Sequence, residues 1–453
     1  MAHASTIAAV ATPSGTGGVA IIRISGPAAL RVARTLIPDL PESVPPYRML
    51  YREFRDRTGA ALDSGLAVFM PGPRSFTGED VVELHGHGGP VVVDMLLSEV
   101  YAAGAHPAEP GEFTRRAFLN GKLDLAQAEG IADLIHARSN AAARLAKRHL
   151  EGRLSAEIND IRENLARQLV LVESAIDFSL EEHVYALDYA ALTAGLAQAI
   201  AQIDRLLASY DRGRVQRDGL TCVIAGRPNA GKSSLLNLLL GEDRAIVSPV
   251  AGTTRDYLDA ECMLGDQLFR FVDTAGLRAT EDVVEAEGVR RSTEQIRKAD
   301  LAVYIVDASQ PQHSDDLANI VALEPPTLLL LSKRDLERQL PAEAFGSKER
   351  LACRLDCSED RQEVETALLE LTKKAGLSPT SESVAIARAR HRDALESARD
   401  ALERAVQAAD MESEPELVAL DLRAALDHVG EIVGHITPDD ILGRIFAEFC
   451  VGK

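Results

Sequence analysis

A phosphate-binding loop is the first feature of this chain that could do chemistry. Residues 226–233 read Gly-Arg-Pro-Asn-Ala-Gly-Lys-Ser, between a β-branched run at 222–225 and an apolar helical run at 235–239. Glycines let a backbone approach phosphate oxygens, and the unpaired N–H groups that begin a helix favour an anion. The pattern predicts a nucleoside triphosphate site in which Lys232 neutralises the β- and γ-phosphates and Ser233 binds Mg²⁺.

Three later segments indicate that the base is guanine. The Gly252-Thr253-Thr254 run offers the Thr254 hydroxyl as a second Mg²⁺ ligand. After the strand-like run 268–272, Asp273 can hold a metal-bound water and the Gly276 N–H can face the γ-phosphate. After the apolar run 327–331, Asp335 can accept from N1–H and the exocyclic amine of guanine, a pair that adenine does not offer. Four such elements in this order are typical of a G domain.

Two departures from the usual G-domain pattern concern the base. Ser332 stands where GTPases usually have Asn or Thr, so a shorter hydroxyl replaces a base-positioning amide. The run 357–359, Cys-Ser-Glu, is the best match to the loop that backs the base. We expect guanine selectivity through Asp335, with the stem of Lys333 along the base, and a modest affinity.

Composition limits the remaining classes of protein. A length of 453 residues predicts two to four domains, and a net charge of −20 argues against broad, non-specific nucleic-acid binding. The arginine-rich clusters at 115–116, 144–153 and 388–392 fit solvated helix faces. No apolar run approaches the roughly 20 residues that span a bilayer, and no signal peptide is evident. Five scattered cysteines without a C-x-x-C pair predict a reducing, cytoplasmic location and no membrane partner.

The pattern along the chain predicts a multidomain α/β and α+β architecture. Strand-like runs at 19–24 and 66–70 indicate an α+β domain over residues 1–119. Apolar residues spaced by three and four, such as Leu125, Ala128, Ala132 and Ile135, predict helices over 120–216, and the same spacing returns over 381–453. A P-loop, Ras-like G domain over 217–380 is therefore predicted as an insertion in a discontinuous helical domain.

Motifs at both ends of the chain narrow the family. The quoted runs are Gly17–Gly26, Ser75–Asp80, His85–Gly89, Pro110–Thr114, Ala117–Glu129 and the terminal Asp440–Lys453, which ends in Cys-Val-Gly-Lys. Together they closely resemble the MnmE family, also called TrmE, of tRNA-modification GTPases, along essentially the whole chain. The terminal Cys-x-Gly-Lys is specific to that family, whereas a G domain alone is not.

The resemblance implies a function and a set of partners. The amino-terminal domain is expected to bind a tetrahydrofolate derivative (5,10-methylene or 5-formyl) and to form a homodimer. The expected partner is the FAD-containing MnmG (GidA) protein, in a heterotetramer. The pair is expected to install a carboxymethylaminomethyl or aminomethyl group at C5 of the tRNA wobble uridine, position 34, while hydrolysis of GTP drives the conformational cycle.

The resemblance also assigns residues at the folate site. The family's folate contacts fall on Arg23, Glu83, Lys122 and Lys453, and a carboxylate such as Glu83 suits the guanine-like edge of a pterin. A strand-edge ion pair is the alternative role for Arg23 and Glu83. Cys450 is predicted to serve the modification chemistry as a nucleophile or resolving thiol.

The histidines at 85 and 87 invite a metal interpretation. Glycines flank them and no third ligand is in view, which favours a turn over a metal site.

The same resemblance implies that K⁺ takes the place of an arginine finger. Its ligands are expected at Asn229, Ser248, Val250 and Thr253. Leu277 stands where Ras-like proteins carry the water-positioning Gln, so that role is predicted for Glu285, with Glu287 as the alternative.

The complete predicted set of GTP-binding residues is Asn229, Ala230, Gly231, Lys232, Ser233, Ser234, Ser248, Val250, Gly252, Thr253, Thr254, Asp273, Thr274, Ala275, Gly276, Ser332, Lys333 and Asp335. Two other classes share a G domain: a ribosome-assembly GTPase, and a regulatory switch or scaffold that dimerises through its nucleotide domain. Neither uses a folate motif or the terminal Cys-x-Gly-Lys, so folate binding separates them from the leading interpretation.

Overall fold

The computed structural model describes residues 5–177, 187–244, 259–273, 298–340, 345, 350–355, 357–378, 384–435, 439–447 and 449–452. The chain divides into two compact units. The first comprises Met1–Ile135, His149–Ala199 and Ser397–Lys453, and the second comprises His136–Arg148 and Ile200–Glu396. The boundaries at 119, 216 and 380 stay predictions.

The strands are β1 Ile7–Val10, β2 Gly17–Ser25, β3 Leu50–Arg55, β4 Ala61–Met70, β5 Val81–Gly88, β6 His106–Pro107, β7 Leu220–Gly226, β8 Asp259–Leu264, β9 Gln267–Asp273, β10 Leu301–Asp307, β11 Thr327–Ser332 and β12 Arg350–Ala352. The helices are α1 Ala29–Leu36, α2 Pro90–Ala102, α3 Glu112–Leu119, α4 Leu125–His136, α5 Asn140–Leu150, α6 Arg153–Asp177, α7 Tyr189–Leu207, α8 Tyr210–Asp218, α9 Lys232–Arg244, α10 Ser314–Ala322, α11 Ser358–Lys374, α12 Ala389–Asp410, α13 Pro415–Val433 and α14 Asp439–Ala447.

The first unit contains a sheet in the order β3-β4-β5-β2-β1-β6. Its pairs are antiparallel except β1 with β6. One face packs on α1 and α2, where Ile22 and Ile24 of β2 are buried in the same core as Leu96 of α2. Because side chains alternate along a strand, Arg23 points to the opposite face. The predicted strands 19–24 and 66–70 are confirmed within β2 and β4.

Helices complete the first unit. The long helices α6 and α13 pack against each other. Leu125, Ala128 and Ala132 of α4 are buried against α14, which confirms the predicted face over those turns. Ile135 was expected on the same face but is 42% exposed and does not belong to that core cluster.

The second unit contains a sheet in the order β12-β11-β10-β7-β9-β8, parallel except for the β8–β9 hairpin. The runs 222–225, 268–272 and 327–331 lie in β7, β9 and β11, as predicted. Strands β10 and β11 are almost continuously buried, as expected for parallel strands covered on both faces. Their carboxyl ends meet at one edge of the sheet, where ligands of α/β folds bind.

None of the helices that the structure describes combines the length and the apolar surface that a bilayer crossing requires.

Candidate functional site

The loop between β7 and α9 has the backbone of a phosphate cradle. Gly226 has φ +147°, and a Cβ there would lie 2.4 Å from the carbonyl oxygen of Ile305, so only glycine fits. Asn229 has φ +60° and Gly231 φ +109°, which bends the loop around the start of α9. The first N–H groups of that helix lack helical partners and carry its positive dipole end. The loop is therefore shaped to hold an anion.

The lysine of this loop is turned toward the loop itself. Lys232 is 8% exposed, and its Nζ donates to the carbonyl oxygens of Gly226, at 2.9 Å, and Arg227, at 2.8 Å. Ser233 and Ser234 are exposed in the first turn of α9. A buried ammonium that donates to neutral carbonyls gains from a phosphate, because hydrogen bonds between charged groups are stronger. Lys232 can therefore exchange carbonyl partners for phosphate oxygens.

The base side of the cradle is formed by the carboxyl ends of β10 and β11. Lys333 has φ +62°, and its Nζ lies 2.5 Å from Oδ2 of Asp307. Burial would raise the pKa of Asp307, but hydrogen bonds from Lys333 and Ser309 outweigh it and lower the pKa. The carboxylate therefore stays ionised and holds Lys333 beside the loop. Asp335 lies two residues further and is exposed, where a base can reach it.

Ser332 differs from the other predicted contacts. It is 1% exposed, and its Oγ lies 2.7 Å from the carbonyl oxygen of Ala230 and 3.2 Å from that of Val306. The hydroxyl thus faces protein carbonyls and fastens the phosphate loop to the ends of β10 and β11.

A cavity of about 310 Å³ opens along the phosphate loop. It is lined by residues 227–230 on one side and by Asp307, Asp316 and Lys333 on the other. Asp316 is 3% exposed and accepts a hydrogen bond of 2.9 Å from the hydroxyl of Tyr304. Burial, with Asp316 nearby, raises the pKa of Tyr304 to about 12. Tyr304 therefore stays protonated and keeps the Asp316 carboxylate fixed in the wall of the cavity.

The first unit contains a second candidate site, around Arg23. Arg23 and Glu83 are register partners on β2 and β5, with Nε 2.9 Å from Oε1 and side chains 17% and 15% exposed. The guanidinium lies 5.8 Å from the ring centroid of Phe76 and 5.6 Å from that of Phe113. A half-buried pair beside two rings provides charge, hydrogen bonding and an aromatic surface for a flat heterocycle.

The neighbouring histidines correct one expectation. His85 and His87 lie in strand β5, not in a turn, because the alternation that begins at Val81 continues through them. His85 Nε2 is 3.3 Å from Glu83, and His87 Nδ1 is 2.6 Å from Asp63. At Gly86 between them, a Cβ would lie 2.6 Å from Oδ2 of Asp63, so the Asp63 carboxylate would have to move for any larger residue.

The carboxyl-terminal residues lie at the Arg23 site. Nη1 of Arg23 is 3.4 Å from the carbonyl oxygen of Gly452. Gly452 has φ +97°, and a Cβ there would lie 2.1 Å from the carbonyl oxygen of Val10. The Gly111 N–H donates to the Cys450 carbonyl at 3.4 Å, and the Cys450 residue is exposed. The glycine of the terminal motif is thus required by close packing on the amino-terminal domain.

Comparison with known proteins decides the family. The model of the MnmE helical domain matches residues 125–450, and the model of the GTP-binding protein TrmE N-terminus matches residues 6–122. The chain is 45% identical to the tRNA modification GTPase MnmE of Stutzerimonas stutzeri, over 99% of both chains. It is 43% identical to that of Marinobacter nauticus, over 99% of both chains, and 44% identical to that of Coxiella burnetii, over 99% of this chain and 98% of the relative. The chain belongs to the MnmE family of tRNA modification GTPases.

Several of the residues predicted for the MnmE-family sites lie outside the described part of the chain. They are Ser248, Val250, Gly252, Thr253, Thr254, Thr274, Ala275, Gly276, Glu285 with its alternative Glu287, and Lys453. Asp273 is placed by its backbone at the end of β9, opposite Ile224.

Lys122 is placed by the structure near the loop that carries Phe76. It is exposed, and its Nζ donates to the carbonyl oxygen of Pro73 at 2.9 Å. The loop 73–78 therefore contacts Lys122 at its start and Arg23 through Phe76. Within the described residues, no three His, Cys, Asp or Glu side chains are grouped as a metal site would require.

Sequence reasoning did not assign roles to three residues of these MnmE-family sites. Phe76 and Phe113 lie in the quoted family motifs but were not identified as the rings beside Arg23. Asp307, the partner of Lys333, ends the apolar run of β10. A carboxylate at the end of a buried strand, at the edge where the phosphate loop begins, is the signal that could have found it.

Proposed function

We propose that this chain is a K⁺-dependent GTPase that works with an FAD-containing protein of the MnmG type on tRNA. The pair would add a carboxymethylaminomethyl or aminomethyl group to C5 of the wobble uridine, position 34, in the cytoplasm. A tetrahydrofolate derivative would supply the one-carbon unit, and GTP hydrolysis would drive the conformational cycle. The observation that carries the proposal is the Arg23–Glu83 pair against Gly452, in a chain that also holds a phosphate cradle.

The nucleotide part of the proposal rests on the loop 226–233. Lys232 would leave its two carbonyl acceptors for the β- and γ-phosphates, and the exposed Ser233 would bind Mg²⁺ together with Thr254. Asp335 would read the Watson–Crick edge of guanine. The donor set fits a magnesium triphosphate, because hydroxyl oxygens and water suit Mg²⁺.

The cation part of the proposal rests on Asn229. Its φ of +60° and its exposure place an amide at the bend of the loop, where it can act as a K⁺ ligand. Ser248, Val250 and Thr253 would complete the set, and Glu285 (or Glu287) would orient the attacking water. We expect faster GTP hydrolysis in K⁺ than in Na⁺ at equal ionic strength. Equal rates in the two salts would count against the cation site.

The folate part of the proposal rests on side chains of the first unit. Glu83 would accept from the donor edge of the pterin, while Arg23, Lys122 and Lys453 would bind ring or tail oxygens. The rings of Phe76 and Phe113 lie beside the guanidinium that would hold the ligand. Folate supplies the carbon for the modification, and Cys450 would take part in that chemistry next to the site.

A surface of the amino-terminal sheet supports the proposed homodimer. Strand β3 is an edge of the sheet, and Tyr51 on it is 67% exposed beside its register partner Leu66, 38% exposed. Tyr47 and Met49, which precede β3 in the chain, are 50% and 53% exposed. Exposed apolar patches of this kind mark interaction sites. Association of the full chain, measured by analytical ultracentrifugation, should weaken in Tyr51→Glu.

The proposal is tested in two steps. Purified full-length chain is titrated with 5-formyltetrahydrofolate and, separately, with GTP, and both should bind. Wobble uridines of cells that lack the gene are then analysed by mass spectrometry and should lose the C5 substituent. Complementation with Cys450→Ser should leave the uridines unmodified although the purified variant hydrolyses GTP. Binding of GTP without folate, and unchanged uridines, would favour a binding switch instead.

A further inference from the structure

The hydroxyl of Ser332 has a single proton and two protein acceptors. Its Oγ is 2.7 Å from the carbonyl oxygen of Ala230, in the phosphate loop, and 3.2 Å from that of Val306 on β10. The backbone around it is also fixed, since Ala308 N–H donates to the Ser332 carbonyl at 3.1 Å. The nearer acceptor, Ala230, takes the proton. No second proton remains for a ligand.

The position of Ser332 in the sequence would suit a side chain that donates a hydrogen bond to the purine base. It directly precedes Lys333, lies three residues before Asp335, and contacts the phosphate loop at Ala230. Guanine presents N7 and O6 as acceptors on the edge next to the one that Asp335 would read. An amide side chain has two N–H protons and can serve the loop and the base together. A serine hydroxyl that is 1% exposed serves the loop alone.

We propose that Ser332 is a positioning residue that holds the phosphate loop, and that it leaves N7 of the guanine base unread. The inference rests on the proposed GTP binding and refines it. Of these two residues, Asp335 alone then contributes to selectivity for guanine. The site should accept 7-deazaguanine, in which a C–H replaces N7, as well as it accepts guanine.

The experiment compares GTP with 7-deaza-GTP. Nucleotide-free full-length chain is titrated with each by calorimetry. The dissociation constants of the wild type should agree within about twofold, since no hydrogen bond is lost. Ser332→Asn should gain a preference for GTP of about fivefold, the effect of one added neutral hydrogen bond.

Two variants, Ser332→Ala and Ser332→Thr, test whether Ser332 positions the phosphate loop or recognises the base. Ser332→Ala should weaken both nucleotides by about the same factor, roughly five- to tenfold, because the Ala230 carbonyl loses its donor. Ser332→Thr keeps a hydroxyl and should restore both affinities. Ser314→Ala removes an exposed serine at the start of α10 and should change neither affinity.

Each outcome bears on the assignment. A wild type that binds GTP about fivefold tighter than 7-deaza-GTP, or more, would overturn it, because that is the effect of one hydrogen bond to N7, while leaving the proposed GTPase function intact. A change in the ratio of the GTP and 7-deaza-GTP affinities in Ser332→Ala would also overturn the assignment. Failure of the wild type to bind either nucleotide would overturn both the inference and the proposed function. The wild-type ratio needs no variant, so the inference is tested even if a substitution impairs folding.

Discussion

The nucleotide site and the Arg23 site are built in different ways. The phosphate cradle is one contiguous loop, 226–233, whose shape comes from the φ values of Gly226, Asn229 and Gly231. The Arg23 site takes its parts from β2, from β5, from the loop that carries Phe76, from the start of α3 at Phe113 and from residue 452. A contiguous site depends mainly on local backbone geometry. A site assembled from distant segments depends on the packing of the whole domain around it.

The largest effect is expected from a buried charge, Arg116, that joins helix α3, which carries Phe113, to Glu79 in the loop that follows Phe76. The cluster 115–116 was expected on a solvated helix face, but Arg116 is 1% exposed, because its guanidinium contacts Glu112 at 2.8 Å, Glu79 at 3.2 Å and the Ser5 carbonyl at 2.8 Å. Arg116→Met should destabilise the first unit by about 3–5 kcal/mol, because Glu79 and Glu112 lose their buried partner.

Calorimetric unfolding of the full chain measures this effect. Bound GTP should raise the unfolding temperature of the second unit, so that the lower-temperature transition of the weakened first unit is resolved from it. Arg31→Met removes an exposed arginine of α1 and is the matched control. Equal unfolding of the wild type and Arg116→Met would show that the amino-terminal domain does not depend on this cluster.

The next effect tests the contiguous site. Lys232→Ala removes the ammonium that bonds the loop carbonyls and would bind phosphate. GTP affinity should fall about 100-fold, the equivalent of two hydrogen bonds between charged groups, while 5-formyltetrahydrofolate affinity stays unchanged. Fluorescent GTP titration measures the first and calorimetry the second. Lys373→Ala, at the exposed end of α11, should alter neither. A loss of less than threefold in Lys232→Ala would contradict the cradle.

A smaller effect is expected from one side chain of the assembled site. Glu83→Gln keeps the shape but removes the charge that pairs with Arg23 and would accept from the pterin. The affinity for 5-formyltetrahydrofolate should fall about tenfold, as for one hydrogen bond to a charged group, with GTP affinity unchanged. Glu53→Gln, on β3 and 44% exposed, is the control. Unchanged folate affinity would favour the alternative of a strand-edge ion pair.

The two kinds of site also differ in how far the sequence predicted them. The order strand, glycine-rich loop, helix placed Lys232 and Ser233 correctly, because neighbours in sequence stay neighbours in the loop. The sequence named Arg23 and Glu83 only through a family resemblance. Their pairing depends on the register of β2 with β5, which spacing alone does not set.

Other differences have the same origin. The histidines at 85 and 87 were assigned to a turn because glycines flank them, but β5 continues where Asp63 of the neighbouring strand approaches Gly86. The role of Ser332 was expected at the base, whereas its hydroxyl meets carbonyls 102 and 26 positions earlier in the chain. In each case a contact with a distant segment decides the outcome, and local residue preferences do not contain it.

The smallest effect changes no affinity and compares the thiols of the two units. Cys450 is exposed beside the Arg23 site, whereas Cys222, Cys262 and Cys353 are buried in the second unit. Burial raises the pKa of Cys222, and burial together with Asp360 raises the pKa of Cys353 to about 12. Because the thiolate is the reactive form, these two thiols stay protonated at pH 8.

Brief treatment of the native chain with iodoacetamide at pH 8, followed by peptide mass spectrometry, should therefore label Cys450 before the buried thiols. The half-exposed Cys357 is the internal control for access within the second unit. Labelling of all five at one rate would mean that the G-domain core opens as readily as the terminus. The core of the second unit and the Arg23 site would then be equally accessible to a small reagent, which would contradict the difference described here.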